Sequence, residues 1–154
     1  MPRRPTLCNP TVDVSLVAPR LYVGSRPAPG RYRWFNVVVL CAKEYQPPSH
    51  GYPGMTVIRI PLVDDDVHPL SDVDQALVVS NARTLARYLE SGACVLTTCW
   101  AGMNRSALVA AIAMQIAFDM DADDVITQIR ETRSPQALSN ARFEQFVRRF
   151  DRVR

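Results

Sequence analysis

The sequence predicts an α/β fold with a central, mostly parallel sheet of four to five strands flanked by helices. Short β-branched segments alternate along the chain with longer segments whose apolar residues recur at helical spacing. Such alternation is typical of strands connected through helices, which makes neighbouring strands parallel. The length of 154 residues suits one domain with its own core.

Five short segments have the composition of β-strands. Pro19 separates the first two, and the other three contain the β-branched runs of buried strands. In chain order the segments are VDVSLV (12–17), RLYVGS (20–25), FNVVVLCA (35–42), MTVIRIPL (55–62) and ACVLTT (93–98). We expect Pro61 to end the fourth strand, because proline lacks the N–H group that a sheet ladder needs.

Helical spacing of apolar residues marks four further segments, which are roughly 73–90, 106–118, 121–132 and 141–150. Ser71 or Asp72 is expected to cap the first helix, and Gly92 to end it. The second helix is apolar on nearly every side and must therefore be sheltered. Asp121 is expected to begin the third, because aspartates favour the positive end of a helix.

The remaining composition describes an ordinary globular chain. We expect residues 1–10, with three prolines, to be a flexible segment, and residues 11–154 to form a single domain. No signal peptide is visible, and the longest apolar run, 107–113, is too short to span a bilayer. The four cysteines show no disulfide spacing, so a reducing cytoplasm and no membrane partner are expected. The net charge of +3 does not by itself indicate nucleic-acid binding.

The segment TTCWAGMNRSA contains the strongest functional signal. It follows a predicted buried strand and precedes a helix, at the carboxyl end of the sheet, where ligands bind in such folds. Five residues between Cys99 and Arg105 let the backbone curl round one tetrahedral anion with its N–H groups inward. Gly102 permits the close approach, the helix adds its positive end, and Arg105 can grip two phosphate oxygens.

The same positive field favours the thiolate form of Cys99, which would then be a nucleophile beside a bound phosphate. Ser106 can donate a hydrogen bond to the sulfur and help it leave. The predicted substrate-binding loop comprises Trp100, Ala101, Gly102, Met103, Asn104 and Arg105. The alternative is that Cys99 is a buried strand-end thiol and Arg105 a surface residue.

These residues resemble the signature H-C-x-x-G-x-x-R-[ST] of the cysteine-dependent protein phosphatases, in particular the compact dual-specificity branch. The segments LYVGS and VVVLCAKE are similar to early and central strands of that branch, and Arg133, Asn140 and Phe143 are similar to its C-terminal pattern. The resemblance implies a phosphatase that forms a phosphocysteine and needs no metal or organic cofactor. The residue before the nucleophile is usually histidine in that family and is Thr98 here, where its side chain could hydrogen-bond the loop backbone.

A phosphatase also needs a general acid to protonate the leaving oxygen. The loop that follows the fourth strand offers Asp64, Asp65 and Asp66, and we expect that strand to lie next to the cysteine strand. The resemblance implies Asp64, three residues after Pro61, with the other two aspartates as alternatives. A solvated acidic turn is the plainer interpretation of such a run.

Cys41 is a further candidate. The strand end LCAKE is similar to one in a lipid phosphatase of the same superfamily, whose cysteine there forms a reversible disulfide with the nucleophile. The resemblance implies that Cys41 could protect Cys99 in the same way, and a buried core cysteine is the alternative. No metal site is expected, since Cys94 and Cys99 lie at odd spacing along one strand.

The sequence as a whole therefore predicts a phosphomonoester hydrolase acting on phosphotyrosine and on phosphoserine or phosphothreonine proteins. One alternative is an RNA 5′-triphosphatase of the same superfamily, because the cradles of those enzymes often contain G-x-N-R, as residues 102–105 do. Another is a weakly active phosphate-binding module, a hypothesis that Thr98 keeps open.

Overall fold

A five-stranded sheet and four helices make up the architecture of residues 13–151, the part of the chain that this computed structural model describes. The predicted α/β fold with a mostly parallel sheet is confirmed. The predicted flexible segment 1–10 lies outside the described residues.

The strands all fall within the predicted segments or extend one residue beyond them. They are β1 (Val14–Ala18), β2 (Leu21–Gly24), β3 (Val37–Ala42), β4 (Thr56–Leu62) and β5 (Val95–Thr98). Their order across the sheet is β1-β2-β5-β3-β4, with β1 antiparallel to β2 and every other neighbouring pair parallel. The strand that leads to the cysteine loop is therefore the central one.

The position of β4 corrects two expectations. β4 pairs with β3 alone, so it is an edge strand and does not lie next to β5. Pro61 does not end it, because the strand continues to Leu62. An edge strand tolerates proline, since one of its sides needs no ladder hydrogen bonds. The edge position also explains why residues 57–59 are only half-buried.

Side chains cap the starts of three of the four helices in the described part of the chain. They are α1 (Asp72–Glu90), α2 (Arg105–Phe118), α3 (Ala122–Thr132) and α4 (Ala141–Phe150). Ser71, rather than Asp72, caps α1 by accepting a hydrogen bond from the backbone of Asp74 at 3.1 Å. Asp121 precedes α3 as its cap instead of being its first residue, because its carboxylate accepts from the backbone of Asp124 at 2.9 Å.

The two faces of the sheet are covered differently. Side chains from all four helices join one face of the sheet in the main hydrophobic cluster. The opposite face carries a smaller cluster, in which Tyr32, Phe35 and Tyr52 come from connecting loops. The helices thus form one layer on the sheet, and the loops that cover the other face lie close to the strand ends.

Helix α2 is the centre of the helical layer. Residues 105–115 are all buried, which explains why the segment is apolar on nearly every side. Among the described residues, no helix combines the length and the apolar character that a bilayer crossing requires. The burial of residues 105–115 fixes the start of α2 next to the end of β5.

Replacing a core side chain of α2 should strongly destabilise the protein. Ile112 is fully buried, so Ile112→Ala should lower the free energy of unfolding by about 2–5 kcal/mol through lost burial and a cavity. Val73→Ala, in α1 at 77% exposure, is the control and should change it by less than about 0.5 kcal/mol. Urea unfolding followed by circular dichroism measures both values, and equal effects would contradict this account of the core.

Candidate active site

The loop between β5 and α2 curls back on the sulfur of Cys99. The Cys99 side chain is buried, and its Sγ accepts a hydrogen bond from the backbone N–H of Gly102 at 3.2 Å. The hydroxyl of Ser106 lies 3.2 Å from the same sulfur. Both neighbours can donate a hydrogen bond to the sulfur.

Gly102 makes the curl possible. Its φ of +71° lies in the left-handed region, which side chains disfavour. A Cβ at this position would stand 2.6 Å from the guanidinium of Arg133 and 2.7 Å from the carbonyl oxygen of Gly24. Any larger residue would therefore push the loop off the end of β2.

Arg133 holds the loop from outside. Its Nε donates to the carbonyl of Gly102 at 3.0 Å, and its Nη2 donates to the carbonyl of Ala101 at 3.2 Å. An ion pair with Asp13, at 2.8 Å, fixes the guanidinium in turn. Arg133 thus occupies two carbonyls of the loop, while the N–H of Gly102 faces the sulfur of Cys99. No described residue accepts from the backbone N–H of Trp100, Ala101, Met103 or Asn104.

Arg105 begins α2 and is 6% exposed. It donates to both carboxylate oxygens of Glu44, at 2.5 and 2.7 Å, and to the carbonyl of Leu62 at 2.9 Å. Its Nε is buried with no hydrogen-bond partner among the described residues. A buried guanidinium with one unused donor can serve an anion that enters the loop.

The charges near Arg105 are coupled. The hydrogen bond from Arg105 lowers the pKa of Glu44 to about 2. The pKa of Arg105 is raised, first by that hydrogen bond and then by the negative charges of Cys99, Glu44 and Asp64. Glu44, Cys99 and Asp64 therefore all lie within electrostatic reach of one guanidinium, although they come from three different segments.

The structure separates the three candidate acids. Asp64 accepts from the side-chain amides of Asn104 at 3.1 Å and of Asn140 at 2.7 Å, so its carboxylate lies against the loop. Asp65 instead caps its own turn by accepting from Val67 and His68. The hydrogen bond from His68 lowers the pKa of Asp65. Of these three aspartates, Asp64 is therefore the one whose side chain joins the loop after β4 to the cysteine loop.

The side chain of Thr98 does not hydrogen-bond the loop backbone, which corrects that expectation. Its hydroxyl donates to the carbonyl of Val39 on β3 at 2.8 Å. The hydroxyl of the neighbouring Thr97 instead joins β5 to the first turn of α2, because it donates to the carbonyl of Ser106 at 3.1 Å. Alternation along the strand explains the exchange, since adjacent side chains point to opposite faces.

The side chain of Trp100 lies between Arg26 and Tyr45 on the solvent-exposed side of the cysteine loop. The guanidinium of Arg26 lies 3.9 Å from the centre of the indole ring and donates to the Trp100 carbonyl at 3.1 Å. The ring of Tyr45 meets the indole edge-on at 6.4 Å. The backbone carbonyl of Met103, on the other side, accepts from Leu138 at 2.8 Å. Trp100 remains 45% exposed, so its indole ring is accessible to solvent.

Cys41 lies beside the nucleophile candidate. The parallel register of β3 and β5 ends at Leu40 opposite Thr98, so Cys41 and Cys99 occupy the next position on each segment. Both are buried in the main hydrophobic cluster. Burial raises the pKa of the Cys41 thiol well above its ordinary value, and a charge on Cys99 raises it further.

Solved structures share this arrangement of strands and helices. Human DUSP28 superposes with a TM-score of 0.77 at 21% identity, over 91% of this chain and 93% of that one. A mouse protein of the dual specificity phosphatase type, solved with zinc tungstate, gives 0.76 at 21% identity, over 91% and 87%. The human tyrosine phosphatase-like serine/threonine/tyrosine-interacting protein gives 0.73 at 16% identity, over 92% and 97%.

The chain has the dual-specificity phosphatase fold. Comparison with protein-family models and with curated proteins gave no match. In this phosphatase fold the loop after the central strand is Cys99–Arg105, which is the segment that the sequence singled out.

Several residues around the cysteine loop were not predicted from the sequence, or were indicated only by the family resemblance. Nothing in the sequence analysis predicts a role for Glu44, although a charged residue two positions after a buried strand marks the sheet edge where the cysteine loop lies. The family resemblance indicates Arg133 and Asn140, but the contacts that they make here do not follow from the sequence. Arg26 gave no signal, because an arginine in a proline-rich loop is ordinary.

Removing the charge of Glu44 should change the pH dependence of stability. Because its folded pKa is depressed to about 2, the ion pair stabilises the protein above about pH 4.5 and loses its effect as pH falls toward 2. Glu44→Gln should therefore be less stable than the wild type at pH 7, and the difference should shrink below about pH 4.5 and disappear only as the pH reaches about 2. The difference should stay below about 1 kcal/mol, since water screens a side chain that is 49% exposed.

Urea unfolding at several pH values measures this difference. Glu90→Gln, at the exposed end of α1, is the matched control and should show no such convergence. A constant gap between Glu44→Gln and the wild type from pH 7 to pH 2 would contradict the assignment.

Proposed function

We propose that this protein is a cysteine-dependent phosphatase that hydrolyses phosphomonoesters of proteins, phosphotyrosine first and phosphoserine or phosphothreonine with it. One observation carries the proposal: the sulfur of Cys99 accepts from the amide of Gly102 inside a loop that ends at the buried Arg105, and four further amides of this loop have no acceptor among the described residues. Amides, a guanidinium and a helix N-terminus together bind a tetrahedral dianion. The phosphatase fold supports the same assignment.

The first chemical step transfers the phosphoryl group to sulfur. The Cys99 thiolate attacks phosphorus, so an S–P bond forms while the P–O bond to the leaving group breaks. Asp64 gives its proton to the leaving oxygen and becomes a carboxylate. Arg105 and the loop amides stabilise the charge on the three remaining oxygens of the phosphoryl group.

The second step releases phosphate. A water molecule attacks the phosphocysteine and gives a proton to the Asp64 carboxylate, while the S–P bond breaks and the thiolate returns. The hydroxyl of Ser106 and the amide of Gly102, each 3.2 Å from the sulfur, stabilise the departing negative charge. The residues named are sufficient for both steps, so the proposal requires no organic cofactor.

A phosphate-binding module without turnover is the second candidate. Two observations favour it: Thr98 stands where a histidine is usual, and one superposed structure is a phosphatase-like interacting protein. The distinction rests on whether Asp64 and Cys99 act on a bound ester. Activity measurements with matched variants therefore decide between the candidates.

Turnover of an aryl phosphate should depend on the sulfur. The wild type should hydrolyse 4-nitrophenyl phosphate with inhibition by vanadate, and Cys99→Ser should lower kcat/KM by about 1000-fold or more, because the nucleophile is lost. Cys94→Ser, at the other end of β5, is the matched control and should keep full activity. Phosphate affinity without hydrolysis by the wild type would reject the enzyme in favour of the binding module.

The same assay assigns the substrate class. A phosphotyrosine peptide, a phosphothreonine peptide and a triphosphorylated RNA are compared by kcat/KM at one ionic strength. We expect the phosphotyrosine peptide to be the best substrate and the phosphothreonine peptide to be hydrolysed. A preference for the RNA would identify the triphosphatase alternative.

Cys41 should capture an oxidised nucleophile. Peroxide converts the Cys99 thiolate to a sulfenic acid, and attack by the Cys41 thiol releases water and forms a disulfide. Peptide mapping after mild peroxide should recover a Cys41–Cys99 link, and thiol reduction should restore activity. In Cys41→Ser the same treatment should give irreversible loss. Recovery of Cys99 sulfinic acid from the wild type, with no cross-link, would contradict this role.

A further inference from the structure

Asn104 stands at the start of α2 without capping it. Asparagine at this position ordinarily accepts hydrogen bonds from the first turn of its own helix. Here the Asn104 side chain makes no such bond. Its amide nitrogen donates instead to Asp64, and its amide oxygen accepts from the backbone of Asn140 at 2.9 Å.

These bonds form a bridge between three segments. Asn104 belongs to the cysteine loop, Asp64 to the loop after β4, and Asn140 to the start of α4. Asn140 is 3% exposed and donates to Asp64 at 2.7 Å and to the carbonyl of Asp65 at 3.1 Å. Both oxygens of the Asp64 carboxylate are thereby oriented by amide donors, although the side chain itself is exposed.

Of the three residues in this bridge, only Asn104 belongs to the anion cradle, which is the loop Cys99–Arg105. The backbone N–H of Asn104 is one of the groups available to an anion, and its side chain contacts the acid. A single residue therefore links the place where phosphate is held to the group that protonates the leaving oxygen. Position matters there, because a misplacement of about 1 Å of a catalytic group costs much of the rate.

We propose that Asn104 is a positioning residue that sets the carboxyl of Asp64 relative to the anion cradle for proton transfer. This inference rests on the proposed phosphatase function and deepens it. Asn104 takes no part in bond making. Its amide fixes the orientation of Asp64, so that the carboxyl faces the leaving oxygen in the first step and the attacking water in the second.

The chemistry of the leaving group provides a selective test. A good leaving group, 4-nitrophenol, needs little help from an acid, whereas phenol, with a pKa of about 10, needs its oxygen protonated. Loss of acid positioning should therefore lower kcat/KM for phenyl phosphate more than for 4-nitrophenyl phosphate. A merely structural defect lowers both values by the same factor.

We expect Asn104→Ala to reduce the ratio of kcat/KM for phenyl phosphate to that for 4-nitrophenyl phosphate by about tenfold, the effect of one lost hydrogen bond to a carboxylate. Asp64→Asn should reduce the ratio further, and adding Asn104→Ala to it should change the ratio no more. Asn81→Ala, which removes an amide bonded within α1, is the matched control and should keep the wild-type ratio.

A second variant guards against local collapse of the loop. Asn104→Asp has the same shape and keeps the oxygen that accepts from Asn140, while it loses the donor to Asp64. Its added charge should weaken phosphate binding for both esters alike, and the ratio of the two kcat/KM values should show the same selective loss. Asn140 is a poorer choice for substitution, because its side chain also caps α4 by accepting from Arg142 and Phe143.

The possible results distinguish a failure of the positioning role of Asn104 from a failure of the proposed phosphatase function. A wild type that hydrolyses neither ester rejects the phosphatase itself. Turnover of both esters by the wild type, with an unchanged ratio in Asn104→Ala and Asn104→Asp, rejects the positioning role and leaves the phosphatase standing. A selective loss in both variants supports the role.

Discussion

The backbone after Cys99 can turn back toward its own sulfur only because Gly102 touches the end of β2 with no side chain between them. The contact is close enough that a single added carbon would overlap the carbonyl of Gly24. Arg133 then binds the carbonyls of Ala101 and Gly102. The conformation of the loop is thus a consequence of packing against β2 and Arg133.

Parallel strands explain how the other groups reach this loop. The carboxyl ends of β3, β4 and β5 lie at one edge of the sheet, so Glu44, Asp64 and Cys99 follow three neighbouring strand ends. β4 is one strand removed from β5, and amides from the cysteine loop and from α4 carry the contact across that gap. The fold supplies proximity, and hydrogen bonds supply orientation.

Much of this arrangement could be predicted from the sequence. The alternation of strand and helix patterns gave the fold class, and the spacing of Cys99, Gly102 and Arg105 gave the loop. Strand order could not be predicted, because the apolar run before Pro61 fits an edge strand as well as a central one. The choice among Asp64, Asp65 and Asp66 stayed open for a similar reason. Hydrogen bonds from Asn104 and Asn140, which are distant in sequence, separate the three carboxylates in space.

Asn140 has two roles within one side chain. Its oxygen holds the first turn of α4, and its nitrogen holds Asp64. Any attempt to stabilise the helix start by exchanging this residue for aspartate would remove a donor that the Asp64 carboxylate uses. The stability of the α4 start and the orientation of Asp64 are therefore tied together at this one position, and engineering of the protein has to begin elsewhere along the helix.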